Sequence, residues 1–135
     1  MRFLDVFFTV FHTCLVLFIL FGWIPGSTRR INLICILLTA GSWLILGIFY
    51  GLGYCPFTDW HFNVLERLGY TGLPTSYISF LIIRLTGLRP DQGLVDIATA
   101  AGLVIALIFS VYLNIRDRRF RVKVRNNAEI TVDQE

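Results

Sequence analysis

Three long apolar runs, almost free of charge, decide which solvent this chain folds in. They are Phe3 to Ile24, Ile31 to Tyr50 and Ile97 to Ile115. As helices at 1.5 Å per residue, each reaches roughly 28–33 Å, the depth of a bilayer's hydrocarbon core. Lipid offers no partner for a backbone N–H or C=O, so uninterrupted runs of this length predict helices rather than strands. A water-soluble fold is disfavoured by size. A domain of 135 residues, 56% of them hydrophobic, would leave much of that surface in water. The mean hydropathy of +0.69 points the same way. The expectation is an all-α integral membrane protein.

The first run follows Arg2 directly, without a basic leader or small-residue cleavage site, and is expected to be retained. The turn Pro25-Gly26-Ser27-Thr28-Arg29-Arg30 is short enough to make the first two helices an antiparallel hairpin. Between Gly51 and Gly93 the pattern breaks. Phe57, Trp60, His61, Val64, Leu65 and Leu68 recur at three- and four-residue spacing, opposed by Thr58, Asp59, Asn63, Glu66 and Arg67. This predicts an amphipathic helix at the membrane interface with Thr58 as its N-cap. A second helix, Thr75 to Thr86, is apolar apart from Arg84 and reaches only about 18 Å, so it predicts a short, tilted or re-entrant third membrane element. The architecture expected is a small four-helix bundle plus the interfacial helix. Residues 1–119 form the membrane domain and 120–135 a polar tail, frayed from Asn126 onward. A full crossing by the short element would put both termini on one side, whereas a partial insertion would separate them.

Six basic residues, Arg116, Arg118, Arg119, Arg121, Lys123 and Arg125, follow the last run. By the positive-inside tendency they place the C-terminus in the cytoplasm. They also account for much of the net charge of +3. Basic residues just past a span are an ordinary topological signal and can meet anionic headgroups, so nucleic acid is not expected as a partner and membrane lipid is. On the last run Ala98, Gly102, Ala106 and Ser110 repeat every four residues, continued at Asn114. Such a face suits close helix packing, within the bundle or against a second copy or another membrane protein.

Polar side chains within the spans carry the functional signal, since in lipid they turn toward the bundle interior. Asp5, Thr9 and His12 lie near one face of the first helix, and Asn32, Cys35, Thr39 and Ser42 along one face of the second. Asp5 is close enough to the end to reach headgroups or water. The first helix begins where the second ends, so His12 lies toward the same membrane face as Cys55, Asp59 and His61. The candidate ligand-binding set is therefore His12, Cys55, Asp59, Trp60 and His61. Contact between His12 and the others requires the connecting segment to dip inward.

No catalytic set is marked. Asp59 and His61 are two residues apart and do not share a helix face, and no nucleophile is distinguished by its setting. The three cysteines match neither a CxxC redox pair nor a zinc cluster, so no metal site is assigned.

Cys55-Pro56-Phe57-Thr58, after a hairpin carrying His12 and Gly22-Trp23, resembles a family of small uncharacterised bacterial inner-membrane proteins with Cys-Pro-Leu-Thr after the second helix. The likeness runs through Gly69-Tyr70-Thr71-Gly72 and the short third helix to Arg116–Arg119. It implies a four-helix bacterial inner-membrane protein with no assigned activity. Where the family commonly places a glutamate, this chain has Trp60-His61, and its nearest glutamate is Glu66.

Two functional classes follow. The first is a non-enzymatic membrane subunit or scaffold, suggested by short connections and packing faces. The second is a pocket near one membrane face for haem, a quinone or a lipid, suggested by His12, Trp60 and His61. An oligomeric transporter ranks below both, because no acidic residue lies near the middle of a span to couple ions.

Overall fold

A computed structural model of the chain describes residues 2–51 and 54–132. It is all-α, with α1 Arg2–Phe21, α2 Arg29–Tyr50, α3 Pro56–Arg67, α4 Tyr77–Thr86 and α5 Gln92–Val132. Three of these, α1, α2 and α5, are long and apolar enough to cross a membrane, and α4 is a shorter apolar helix.

Burial is inverted relative to a water-soluble domain. Among the described residues the interior holds seven apolar side chains, Ile19, Ile36, Leu65, Tyr77, Phe80, Val95 and Ala106. It holds as many polar ones, Asp5, His12, Asn32, Thr58, His61, Ser79 and Ser110. Phe3, Leu38, Ile45, Ile48 and Ile108, by contrast, point outward. A polar interior inside an apolar exterior is the arrangement that lipid, not water, stabilises.

The long helices alternate in direction, and polar bonds tie both ends of the bundle. At the end formed by the α1–α2 turn, Asn32 Nδ2 donates to the Phe18 carbonyl (2.6 Å) while Ser110 Oγ donates to Asn32 Oδ1 (3.0 Å). Asn114 Nδ2 donates to the Arg29 carbonyl (3.1 Å), and Arg29 Nη1 reaches both carboxylate oxygens of Asp117 (2.7 and 3.0 Å). Three helices are thus joined through residues far apart in sequence. The small-residue face of α5 turns inward here: Ala106 packs with Ile19 and Ile36, and Ser110 is fully buried. A Cβ added at Gly102 would meet Leu20 Cδ2 at 3.5 Å, an ordinary contact.

At the other end, α3 and α4 cover the first half of α1. Tyr77, at the start of α4, donates its hydroxyl proton to the Thr9 carbonyl (2.9 Å), and Arg84, near its end, bonds Asp5. Thus α4 begins alongside Thr9 and runs back toward the start of α1. Ten residues reach about 15 Å, and this helix enters the bundle without crossing it. Gly87, with φ 72°, closes α4 in the left-handed region, its N–H bonded to the Ile83 carbonyl. In consequence the first residues of α1 and the end of α5 lie at opposite ends of the molecule.

Several expectations change. Helix α3 starts at Pro56, with Cys55 in the N-cap position, and Thr58 lies inside the helix. A proline is well placed there, having no N–H to leave unpaired. The buried stripe of α3 is Thr58, His61 and Leu65, whereas Phe57 and Trp60 are exposed. The expected apolar face is thus divided: His61 and Leu65 are buried together with Thr58, while Asp59, Asn63, Glu66 and Arg67 stay exposed with Phe57 and Trp60. Helix α4 begins at Tyr77, two residues after the expected start. Helix α5 continues without a break far beyond Ile115, where a polar tail fraying from Asn126 was expected. No glycine or proline interrupts residues 103–132, and an Arg125–Glu129 pair (3.9 Å) has favourable helical spacing. Residues 133–135 of that expected tail lie outside the described residues.

Candidate functional site

Asp5, expected to reach headgroups or water, is instead 6% exposed and forms the hub of the α3–α4 end. Arg84 holds it with two parallel bonds, Nη1 to Oδ1 (2.8 Å) and Nη2 to Oδ2 (3.0 Å). His61 Nε2–H donates to Oδ1 as well (2.9 Å). Thr9 Oγ1 donates to the Asp5 carbonyl (2.8 Å) and lies 3.3 Å from Arg84 Nη1. A fork-to-carboxylate bond of this kind fixes orientation as well as charge. It joins α1 to α4, and His61 adds α3.

The His61 ring is fully buried in an aromatic cage. Phe80 meets it edge-on (5.3 Å between centroids), Phe8 stacks at 5.7 Å, and Tyr77 and Phe62 lie at 6.2 and 6.3 Å. With Nε2 protonated toward Asp5, a neutral ring presents Nδ1 as an acceptor, and that atom has no hydrogen-bond partner.

His12 sits deeper in the bundle. Its ring stacks on Tyr77 with centroids 3.9 Å apart and planes at 20°. The Tyr77 hydroxyl is meanwhile held by the Thr9 carbonyl and lies 3.1 Å from Thr13 Oγ1, so the ring beneath His12 is fixed. His12 is 7% exposed, and its Nδ1 is occluded and without a partner.

Beside His12 the five helices line a predominantly apolar, partly open cavity of about 330 Å³. Its wall includes His12 and Leu15 from α1, Thr39 and Trp43 from α2, Thr58 from α3, Tyr77 from α4 and Gly102 from α5, with Cys55 just before α3. That volume lies at the small end of the range for small-molecule sites. Small side chains on α5 make room for it, since Ala98 and Gly102 line it where larger residues would fill it.

The structure therefore divides the sequence-derived site residues into three groups. His12 and Cys55 line the cavity together. His61 lies next to them in the Asp5–Arg84 cluster. Asp59 and Trp60 are exposed: Asp59 bonds Asn63 one turn on, and Trp60 sits edge-on to Phe57. Sequence reasoning missed Arg84 and Tyr77. Arg84 was visible as the one charge in an apolar helix, but its partner is 79 residues away. Among the described residues no group of three or more His, Cys, Asp or Glu side chains is arranged to hold a metal ion.

A family model described as Protein of Unknown function (DUF2784) matches residues 2–115. The chain belongs to this family. The DUF2784 match takes in α1 to α4 and the apolar part of α5, and with them the cavity and the Asp5–His61–Arg84 cluster. Comparison with curated proteins and with solved structures gives no match.

Proposed function

We propose that this DUF2784 protein is a multi-pass protein of the bacterial inner membrane that binds a small apolar molecule between its helices. The observation that carries this reading is the partly open cavity of about 330 Å³ lined by all five helices, with the His12 ring in its wall. A neutral imidazole has one donor and one acceptor. Because Nδ1 of His12 is occluded, Nε2 is the nitrogen a ligand can reach, and it suits one carbonyl or hydroxyl on an otherwise apolar molecule. A quinone head or the glycerol end of a lipid has this chemistry. Haem fits less well, because the second histidine, His61, is engaged by Asp5.

The basic segment after Ile115 supports a cytoplasmic C-terminus. With three crossings, the N-terminus and the Asp5 cluster then face the opposite side. A role as a membrane subunit is a second reading, favoured by the exposed helical extension of α5 through residues 116–130.

Native mass spectrometry and solvent extraction of the protein purified in mild detergent test the binding role. The wild type is expected to retain an apolar molecule near one per chain. Gly102→Leu, which fills the cavity, should lose it, and His12→Leu should weaken retention. A wild type that carries no more apolar material than the Gly102→Leu variant, and whose thermal midpoint added quinone or lipid leaves unchanged, would refute the pocket.

A further inference from the structure

A second, polar cleft lies at the opposite end of the molecule. It encloses about 200 Å³ and is lined by Gly26 and Ser27 of the α1–α2 turn, Arg29 and Arg30 of α2, and Asn114, Asp117, Arg118 and Arg121 of α5. Four arginines against one aspartate give the lining a net charge of +3 (4 − 1). That aspartate is already satisfied: Arg29 binds both its oxygens and also bonds the carbonyls of Trp23 and Ile24. Arg29 and Asp117 thus act as the structural floor. Arg30, Arg118 and Arg121 form no hydrogen bond or ion pair among the described residues and are exposed at the rim. Three further guanidinium groups thus line a cleft whose one carboxylate, Asp117, is already held by Arg29, and the excess positive charge suits an anion. The cleft also sits where the apolar runs of α1, α2 and α5 all end, which is headgroup depth if these three helices cross a bilayer.

The geometry points to a binding site for the phosphate of an anionic phospholipid headgroup in the cleft between the α1–α2 turn and α5, held by Arg30, Arg118 and Arg121. Arginine is suited to this, because its planar fork matches two phosphate oxygens at once. The site rests on the membrane reading above but not on the apolar pocket at the other end.

The test uses the full chain in nanodiscs or mild detergent, with lipid binding read by native mass spectrometry. Phosphatidylglycerol competes against phosphatidylcholine, which carries a neutralising cation on its headgroup. The wild type is expected to prefer phosphatidylglycerol. Arg118→Gln with Arg121→Gln should reduce the preference by roughly fivefold per arginine. Lys123→Gln with Arg125→Gln removes the same charge one turn farther along α5 and should leave the preference within about twofold, whereas a general attraction would fall equally in both. Equal losses in the two double variants, or no preference in the wild type, would overturn the site. Glycerol phosphate competing at millimolar concentration would uphold the arginine cleft and assign the ligand to a soluble phosphate compound. Resistance of the wild type to alkaline extraction from membranes checks the membrane reading separately, so failure of one is not mistaken for failure of the other.

Discussion

Asp5 is the side chain on which the α3–α4 end depends. Its carboxylate is shared by a guanidinium from α4 and an imidazole from α3, and removing it would leave both without their acceptor. Loss of one partner of a buried pair typically costs about 3–5 kcal/mol, and Arg84, with its side chain 37% exposed, recovers part of that from its surroundings. We expect Asp5→Ala to lower stability in detergent by about 2–3 kcal/mol. Arg84→Ala should cost less, and the double variant less than the sum of the two. Thermal or denaturant unfolding of the four proteins in one cycle measures the coupling, and additive losses would show that the two groups do not act as a pair. Of this cluster, only the presence of polar residues in apolar runs was legible in the sequence. Pairings across 56 and 79 residues leave no periodicity to read, and Asp5, near a helix end, looks from sequence like a residue reaching for water.

At the level of elements, legibility followed the solvent. The three long helices, the tight turn and the small-residue face of α5 follow from run length and spacing, which the environment does not alter. The orientation of α3 was legible only in part: Phe57, Trp60, His61 and Leu65 share the expected apolar face, and the structure buries His61 and Leu65 with Thr58 while leaving Phe57 and Trp60 exposed. The extent of α5 was missed because charge marks the end of an apolar run without ending a helix. Its continuation is clamped to α2 by Arg29 and Asp117, and this clamp is sensitive to acid. The Arg29 guanidinium holds the Asp117 carboxyl below the usual carboxylate range. A carboxylate with a depressed folded-state pKa contributes its full stabilisation above its unfolded value, near 3.9, and loses it as pH falls through the lower folded value. The difference in thermal midpoint between wild type and Asp117→Asn should therefore be constant from about pH 5 to pH 8 and close below about pH 4. A gap that persists at pH 3, or is absent at pH 7, would remove this role from the clamp.

For the whole molecule, the decisive feature is that α4 turns back. The short apolar helix was legible, whereas its depth was not, because ten residues suit a re-entrant element as well as a tilted segment extended by its flanks. Its contacts with Thr9 and Asp5 fold it back along α1 and leave α1, α2 and α5 as the three helices long and apolar enough to cross. In a background lacking Cys14, Cys35 and Cys55, single cysteines at Ser27 and Arg89 provide the check. With three crossings the two label from opposite sides of the membrane, and with four they label from the same side. Arg89→Cys reacting only with an outside reagent, and Ser27→Cys only after permeabilisation, is the expected result.

The bond between Asp5 and Arg84 also sets an order of events during synthesis. At about 5–20 residues per second, the 79 residues between them take roughly 4–16 s to make. For that interval the first helix exists with its carboxylate and without its guanidinium. The cluster that ties α1 to α3 and α4 can therefore close only after α4 has been made, whereas the bond from Asn32 to the Phe18 carbonyl at the other end of α1 needs only α2.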